Sequence, residues 1–561
     1  MASAVTPVTE AAAAAAVKKP KLHGRAFYES IGSPKYIVAP MVDQSEFAWR
    51  MLSRSFLPES ERSSILAYSP MFHARLFIES QKYRDQHFQP TKPDSNEPFL
   101  DGNPAIDRPL FVQFCANDPQ ALLSAAKMVA PYCDAVDLNL GCPQNIAKKG
   151  RYGSFLQEDQ ELIHQLIKTL HESLEIPVTA KIRILETKEA TLKYAQNVLS
   201  AGASILTVHG RLREQKGHLT GLADWEMIRY LRDNLPPETV LFANGNILQH
   251  EDLEKCLAAT GADGVMSAEG NLSNPGIFVP PPPVGQEPRG YWRGKDGKGG
   301  WRVDEVFRRY LDIIHQYVLG KPPPPRRPLF MPGDDTAWMD EEIVIPCVDE
   351  PGGKAKKRRS DIYKENPGVI APNFIGMQPH LFHLLRHLVS RHHDVRDALA
   401  KTRLGEIDMY EAIYRMVEKK VAEGLLEYER TGGKSIEEET PPPPPLEEGE
   451  EDDPDSSARA VRECKRPWWV VQPIVRPLPK EALAKGAVQM SKKEKKRLAA
   501  ELEEKEEAAA KRKKEEAADE PAAAQATTMT TAAVVGTNTA TNAVTSLERE
   551  TNFPSSQLVS G

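Results

Sequence analysis

Residues Asp137–Phe155 read DLNLGCPQNIAKKGRYGSF. With the two residues before it, this stretch opens on an apolar run, Ala135–Leu140, that stops at Gly141. Short runs that are apolar at nearly every position are typical of parallel strands buried on both faces. A lone thiol, Cys142, follows the strand at once, and Pro143 stiffens the turn. A loop carrying Lys148, Lys149, Arg151 and Tyr152 comes next. A proton donor at a strand end, inside a cationic and aromatic loop, points to chemistry on a nucleic acid. The plainer reading is a small buried cysteine in a tight turn, since cysteine packs as a small hydrophobe. The rest of the chain has to decide between the two.

The same strand–loop–helix pattern recurs between Lys35 and Asn271. The strand-like runs are Tyr36–Val42, Leu66–Met71, Leu110–Cys115, Ala135–Gly141, Val178–Ile184, Ile205–Arg211, Val240–Asn246 and Gly264–Asn271. Amphipathic segments lie between most of them. Asp118–Ala130 starts with an Asp cap and Pro119 in its first turn, and Thr187–Leu199 places Leu192, Ala195 and Leu199 on one face. Eight such units over this length predict an α/β fold, a (β/α)₈ barrel, whose usual size is about 250 residues. A doubly wound sheet competes. It would carry a Gly-rich phosphate loop after its first strand, where this chain has Pro40-Met41-Val42.

The chain has 561 residues, more than one domain holds, and its proline runs, Pro280–Pro283 and Pro322–Pro325 among them, lie outside the barrel span. Residues 1–30 read as a disordered N-terminus, 31–277 as the barrel, and 278–300 as a Pro/Gly-rich linker. Residues 301–430 read as a helical domain interrupted by a disordered insertion, 321–371, that includes the basic run Lys354–Arg359. The stripe Leu381, Leu384, Leu385, Leu388 is its core, leaving His380, His383, Arg386, His387 and Arg391 to cover other faces. Residues 431–561 read as a charged, low-complexity tail, with a short motif RPWWV at Arg466–Val470. The net charge of −7 averages opposing blocks and does not exclude an RNA partner. The six Cys show no zinc spacing, so no metal is expected. They suit a reducing, intracellular compartment, cytoplasmic or nuclear. No apolar run reaches the ~18 residues of a membrane span. A monomer is expected.

In a barrel, functional groups collect at the carboxyl ends of the strands. The unusual polar residues fall there: Pro40-Met41-Val42, Gln113, Asn139 with Cys142, Lys181 and Arg183, His209, Asn244-Gly245-Asn246, and Ala268-Glu269. Such groups need polar partners, and a large polar cofactor would supply them. Flavin mononucleotide (FMN) suits the arrangement. Its phosphate would sit on backbone N–H groups at Asn244–Asn246 and Ala268-Glu269, with a hydrogen bond or a positive charge from His209. Lys181 would supply the cation near N1/O2 and Gln113 an amide facing N3/O2.

The stretches Ala39–Arg50, Phe111–Pro119, Asp137–Gln144, Ala180–Ile184, Thr207–Arg211, Ala243–Ile247 and Gly264–Leu272 together resemble the tRNA-dihydrouridine synthases, flavoenzymes that reduce uridine in tRNA. SAEGNL at Ser267–Leu272 and RPWWV resemble the subclass acting at positions 16 and 17. Many other subclasses carry Gly-Arg where this chain has Ala268-Glu269. The resemblance implies a two-step reaction. NADPH or NADH reduces the flavin, whose N5 delivers hydride to uracil C6, while Cys142 protonates C5. An ordinary thiol, with a pKa of about 8.5, holds its proton at pH 7 as this role needs. The uridine must be flipped out of the tRNA to reach the pocket. Lys148, Lys149, Arg151, Tyr152 and Arg183 are then expected to hold the RNA at the barrel, and Arg386 and Arg391 in the helical domain. Three other readings stay open: a flavin barrel acting on a free pyrimidine, an aldolase-type barrel with Lys181 as Schiff base, and a non-catalytic RNA-binding scaffold.

Overall fold

The structure is a computed structural model and describes residues 21–346, 372–435, 454–484 and 486. The basic runs Lys354–Arg359 and Lys492–Arg497 lie outside the described residues. The chain divides into two compact units. One holds the barrel, the helical region and the chain up to Arg476; the other holds Gly217–Gly221 with the chain from Pro477. The latter contributes the short helix Pro479–Ala484.

The barrel strands are β1 Tyr36–Val38, β2 Ile65–Tyr68, β3 Phe72–His73, β4 Leu110–Cys115, β5 Ala135–Leu140, β6 Val178–Arg183, β7 Ile205–His209, β8 Val240–Asn244 and β9 Gly264–Ser267. All pair in parallel, and β1 joins both β2 and β9, which closes the sheet into the expected barrel. Its second stave is in two pieces. β2 pairs with the start of β4 and β3 with its end. Pro70 lies in the gap, where it has no N–H to give to a ladder. Helices cover the outside, and their starts follow the capping chemistry. Asp118, Asp159, Thr187 and Asp224 each accept first-turn N–H groups through their side chains.

The helical region comprises Val303–Ile313, Pro372–Leu384, Arg386–Arg391, His393–Lys401 and Ile407–Thr431. It packs on the helix Phe47–Arg54 of the barrel through buried polar groups. The imidazole of His380 lies 3.0 Å from Glu46 and stacks on Trp49, with ring centroids 4.0 Å apart. Asn373 accepts the N–H of Ala48 at 2.8 Å. His380 therefore belongs to the interior and not to an outer face.

Four segments are more structured than expected. Residues 24–30 form a helix that buries Phe27 and Tyr28. The linker carries a hairpin, Tyr291–Arg293 with Gly299–Trp301. Part of the insertion is anchored, with Arg326 bound to Asp312 and Glu411 and Phe330 buried. The tail returns to the fold: Trp469, Val470 and Val471 are buried, and Val303 donates to the carbonyl of Trp469 at 2.9 Å. Gly424 marks this docking. A Cβ there would meet Trp468 and Trp469 at 2.7 Å, so only glycine lets the helix come so close.

Candidate active site at the barrel mouth

Strand register sets the site residues side by side. Gln113 is level with Asp137, Asn139 with Lys181, Arg183 with His209, and His209 with Asn244. On the β4–β5 side a chain of hydrogen bonds runs to the cysteine. Gln113 donates to Asp137 Oδ2 at 2.8 Å and accepts from Asn139 Nδ2 at 2.8 Å. Asn139 Oδ1 accepts the N–H of Cys142 at 2.9 Å. A carboxylate only accepts and an N–H only donates, so both amides are held in one orientation. Each amide keeps one further N–H. Gln113 can thus offer a ligand a donor, while its carbonyl is already engaged. Burial raises the Asp137 carboxyl to about 6.

Cys142 is buried beside Cys115, Ala147 and Tyr152. Its carbonyl accepts from the N–H and the hydroxyl of Ser154, at 3.1 and 2.9 Å. Gly153, at φ +66, permits this closure, since a Cβ would lie 2.8 Å from the same carbonyl. The segment expected as a loop contains a helix, Asn145–Gly150, with Lys148, Lys149 and Arg151 exposed.

Two expected RNA contacts are corrected. Tyr152 is buried with Cys115 and Cys142, so it packs against the thiol and does not face outward. Arg183 is buried and donates to the carbonyls of Gly141, Leu212 and Gln215. It pins the loops after β5 and β7. Arg386 and Arg391 are exposed and line a cavity of about 500 Å³ with His387, Lys465, Arg466 and Trp468.

Lys181 is buried, and its ammonium has no hydrogen-bond acceptor among the described residues. Burial, then the charge of Arg183, lowers its pKa to about 7. His209 Nε2 accepts from Arg211 Nη1 at 2.9 Å, which requires a neutral ring. Burial and the neighbouring Arg183, Arg211 and Lys181 hold its pKa well below the usual value. His209 is therefore not the positive charge allowed for above. That charge is on Arg211, which the reading of TVHGR passed over and which also donates to Asn246 at 2.9 Å.

The remaining groups divide in the same way. The N–H and carbonyl of Met41 are engaged by Ser45, which leaves Met41 only its apolar surface, and Val42 is exposed. Pro40 is buried. The side chain of Asn246 is spent on Arg211 and Ala223. Asn244 donates to Met266, and its buried Oδ1 has no partner among the described residues. The backbone N–H groups of Gly245, Asn246 and Ala268 find no acceptor among the described residues. The Glu269 carboxylate is bound by Arg476, at 2.7 Å through Nη2.

These residues fit FMN. A buried lysine with no hydrogen-bond acceptor among the described residues suits the electron-rich N1–O2 edge of its ring. Unclaimed N–H groups beside an arginine suit a phosphate. Among the described residues no cluster of His, Cys, Asp and Glu could hold a metal ion, and no helix is long and apolar enough to cross a membrane.

Residues 37–283 match the dihydrouridine synthase (Dus) family. The tRNA-dihydrouridine(16/17) synthase [NAD(P)(+)] of Schizosaccharomyces pombe is 44% identical over 462 residues, covering 82% of this chain and 92% of that protein. The Saccharomyces cerevisiae protein of the same description is 57% identical over 296 residues, 53% of this chain and 64% of that one. A tRNA-dihydrouridine(16/17) synthase [NAD(P)(+)]-like protein of Rattus norvegicus is 45% identical over 301 residues, 53% and 60% of the two chains.

Proposed function

This chain belongs to the dihydrouridine synthase family, and we propose that it reduces uridine to 5,6-dihydrouridine at positions 16 and 17 of tRNA, using FMN and NADPH or NADH. The names of its relatives support the tRNA substrate, the positions and the nicotinamide. The observation that carries the reading is the meeting of a buried thiol, two oriented amides and a lysine with no hydrogen-bond acceptor among the described residues at one barrel mouth. FMN, when bound, supplies the hydride that saturation of the uracil ring consumes. Lys181 and the free N–H groups of Gln113 and Asn139 orient its ring, and Gly245, Asn246, Ala268 and Arg211 hold its phosphate.

The thiol of Cys142 gives the C5 proton. Its backbone is fixed from both sides, by Asn139 and by Ser154, so Sγ has few positions to take. Its burial keeps bulk water from competing for that proton transfer. The exposed Lys148, Lys149 and Arg151 hold phosphates near the flipped base, and Arg386 and Arg391 hold the body of the tRNA.

A single-turnover experiment tests this. Protein reduced anaerobically with NADPH is mixed with unmodified tRNA while flavin absorbance is followed. The flavin should be reoxidised as dihydrouridine forms. In Cys142→Ala, reduction by NADPH should stay normal, and tRNA-driven reoxidation should slow by at least ~10²-fold. Reoxidation by free uridine as fast as by tRNA would instead favour a small pyrimidine as substrate.

A further inference from the structure

Glu269 follows β9 directly and begins the short helix Glu269–Ser273. Its carboxylate is bound by Arg476, which lies 207 positions further along the chain. The contacts are Nη2 to Oε1 at 2.7 Å and Nε to Oε2 at 3.0 Å. They leave Nη1 of Arg476 with no acceptor among the described residues. Both side chains keep about a third of their surface, 31% for Arg476 and 33% for Glu269. Arg211, which binds His209 and Asn246, feels the charges of both. Arg476 thus keeps an uncommitted N–H at Nη1, close to Arg211 and to the backbone N–H groups of Gly245, Asn246 and Ala268, which find no acceptor among the described residues. Uncommitted N–H donors converging beside guanidinium groups are completed by an anion.

Resting on the flavin reading above, we propose that Arg476 is a ligand of the FMN phosphate, carried in by the C-terminal stretch and oriented by Glu269. The barrel then does not complete its own cofactor site. Its phosphate end is finished by residues that follow the RPWWV motif, whose docking through Trp469 and Val471 delivers the arginine.

The test compares FMN with riboflavin, which lacks the phosphate, by fluorescence titration of full-length apoprotein. Arg476→Gln should weaken FMN about tenfold or more and leave riboflavin unchanged, as expected for a lost charge-assisted contact. Arg476→Lys should restore part of the loss. Glu269→Gln keeps an acceptor for Arg476 but removes a negative charge beside the phosphate, so FMN should bind a few-fold tighter. Arg476→Gln and Glu269→Gln both break the ion pair, so a purely structural pair would weaken both flavins in both variants. That result overturns the proposal. So does unchanged FMN binding with weaker tRNA binding in Arg476→Gln, which would place an RNA phosphate there. If the unsubstituted protein binds neither flavin, the flavin reading itself fails.

Discussion

The two sides of the barrel mouth are built on opposite plans. On the β4–β5 side each polar side chain answers another: Asp137 to Gln113, Gln113 to Asn139, Asn139 to the backbone of Cys142. On the β6–β9 side donors outnumber acceptors among the described residues. There Lys181 finds no hydrogen-bond acceptor, and Arg476 binds Glu269 with Nη1 left over. Satisfied networks hold geometry, and surplus charge attracts ligands. One side is a rigid mount for a proton donor; the other is a receptor for an anionic cofactor.

The largest effects should separate the sides. Cys142→Ala should cut turnover by ~10²-fold or more with flavin content intact, measured as dihydrouridine formed per bound flavin. Lys181→Met should do the reverse, losing flavin first. If Cys142→Ala loses flavin instead, the two sides are not distinct.

A second prediction concerns pH. Lys181 titrates near 7 in the fold, against 10.5 for the ordinary group. Between these values the unfolded chain binds the extra proton, so stability of the apoprotein should rise with pH across that window. Below about 7 both states are protonated and the full penalty applies. Lys181→Met should remove this slope and raise apoprotein stability at pH 7, read from denaturation midpoints. FMN should flatten the slope too, by giving the ammonium a partner. A slope unchanged in Lys181→Met would mean that another group carries it.

A smaller effect is expected along the wired side. Asp137→Asn lets Gln113 turn its amide, because the partner no longer demands a donor. Turnover should fall by roughly tenfold with little change in FMN affinity, since one oriented hydrogen bond is worth about 1 kcal/mol. An equal loss of FMN affinity would show that the wiring serves the cofactor and not the thiol.

The smallest effect lies outside the mouth. Arg386→Ala and Arg391→Ala should each weaken tRNA binding at all sequences and reduce the salt slope by about one. An unchanged slope would move the RNA surface elsewhere. Arg391 also lies over the Trp468 ring, 5.7 Å from its centroid, so Trp468→Ala is the control for packing.

What could be read from the sequence followed apolar continuity. β4, Leu110–Cys115, matches its expected span because all six residues are buried. The second stave was expected to run unbroken through Met71, and Pro70 divides it. Strand ends also placed Cys142, Lys181 and His209 at the mouth. Burial on a strand end was less visible. Arg183 reads like an RNA contact until its guanidinium is found among three loop carbonyls. His209 allows either a hydrogen bond or a positive charge until Arg211 is found donating to it. Long-range pairing was not visible at all. His380 shows a helical period that places it off the leucine stripe, and only the packed barrel reveals Glu46 opposite it. Arg476 has no local signal. The charge at Glu269, where a phosphate was expected, led only to giving that contact to backbone N–H groups.

The central claim is a position-specific reduction of tRNA. Holoprotein, NADPH and unmodified tRNA are incubated together, and dihydrouridine is mapped along the product at single-nucleotide resolution. Signal at positions 16 and 17 that depends on Cys142 is the expected outcome. Full conversion at another uridine would contradict the assigned position, and flavin-replete protein that leaves tRNA unmodified would contradict the function.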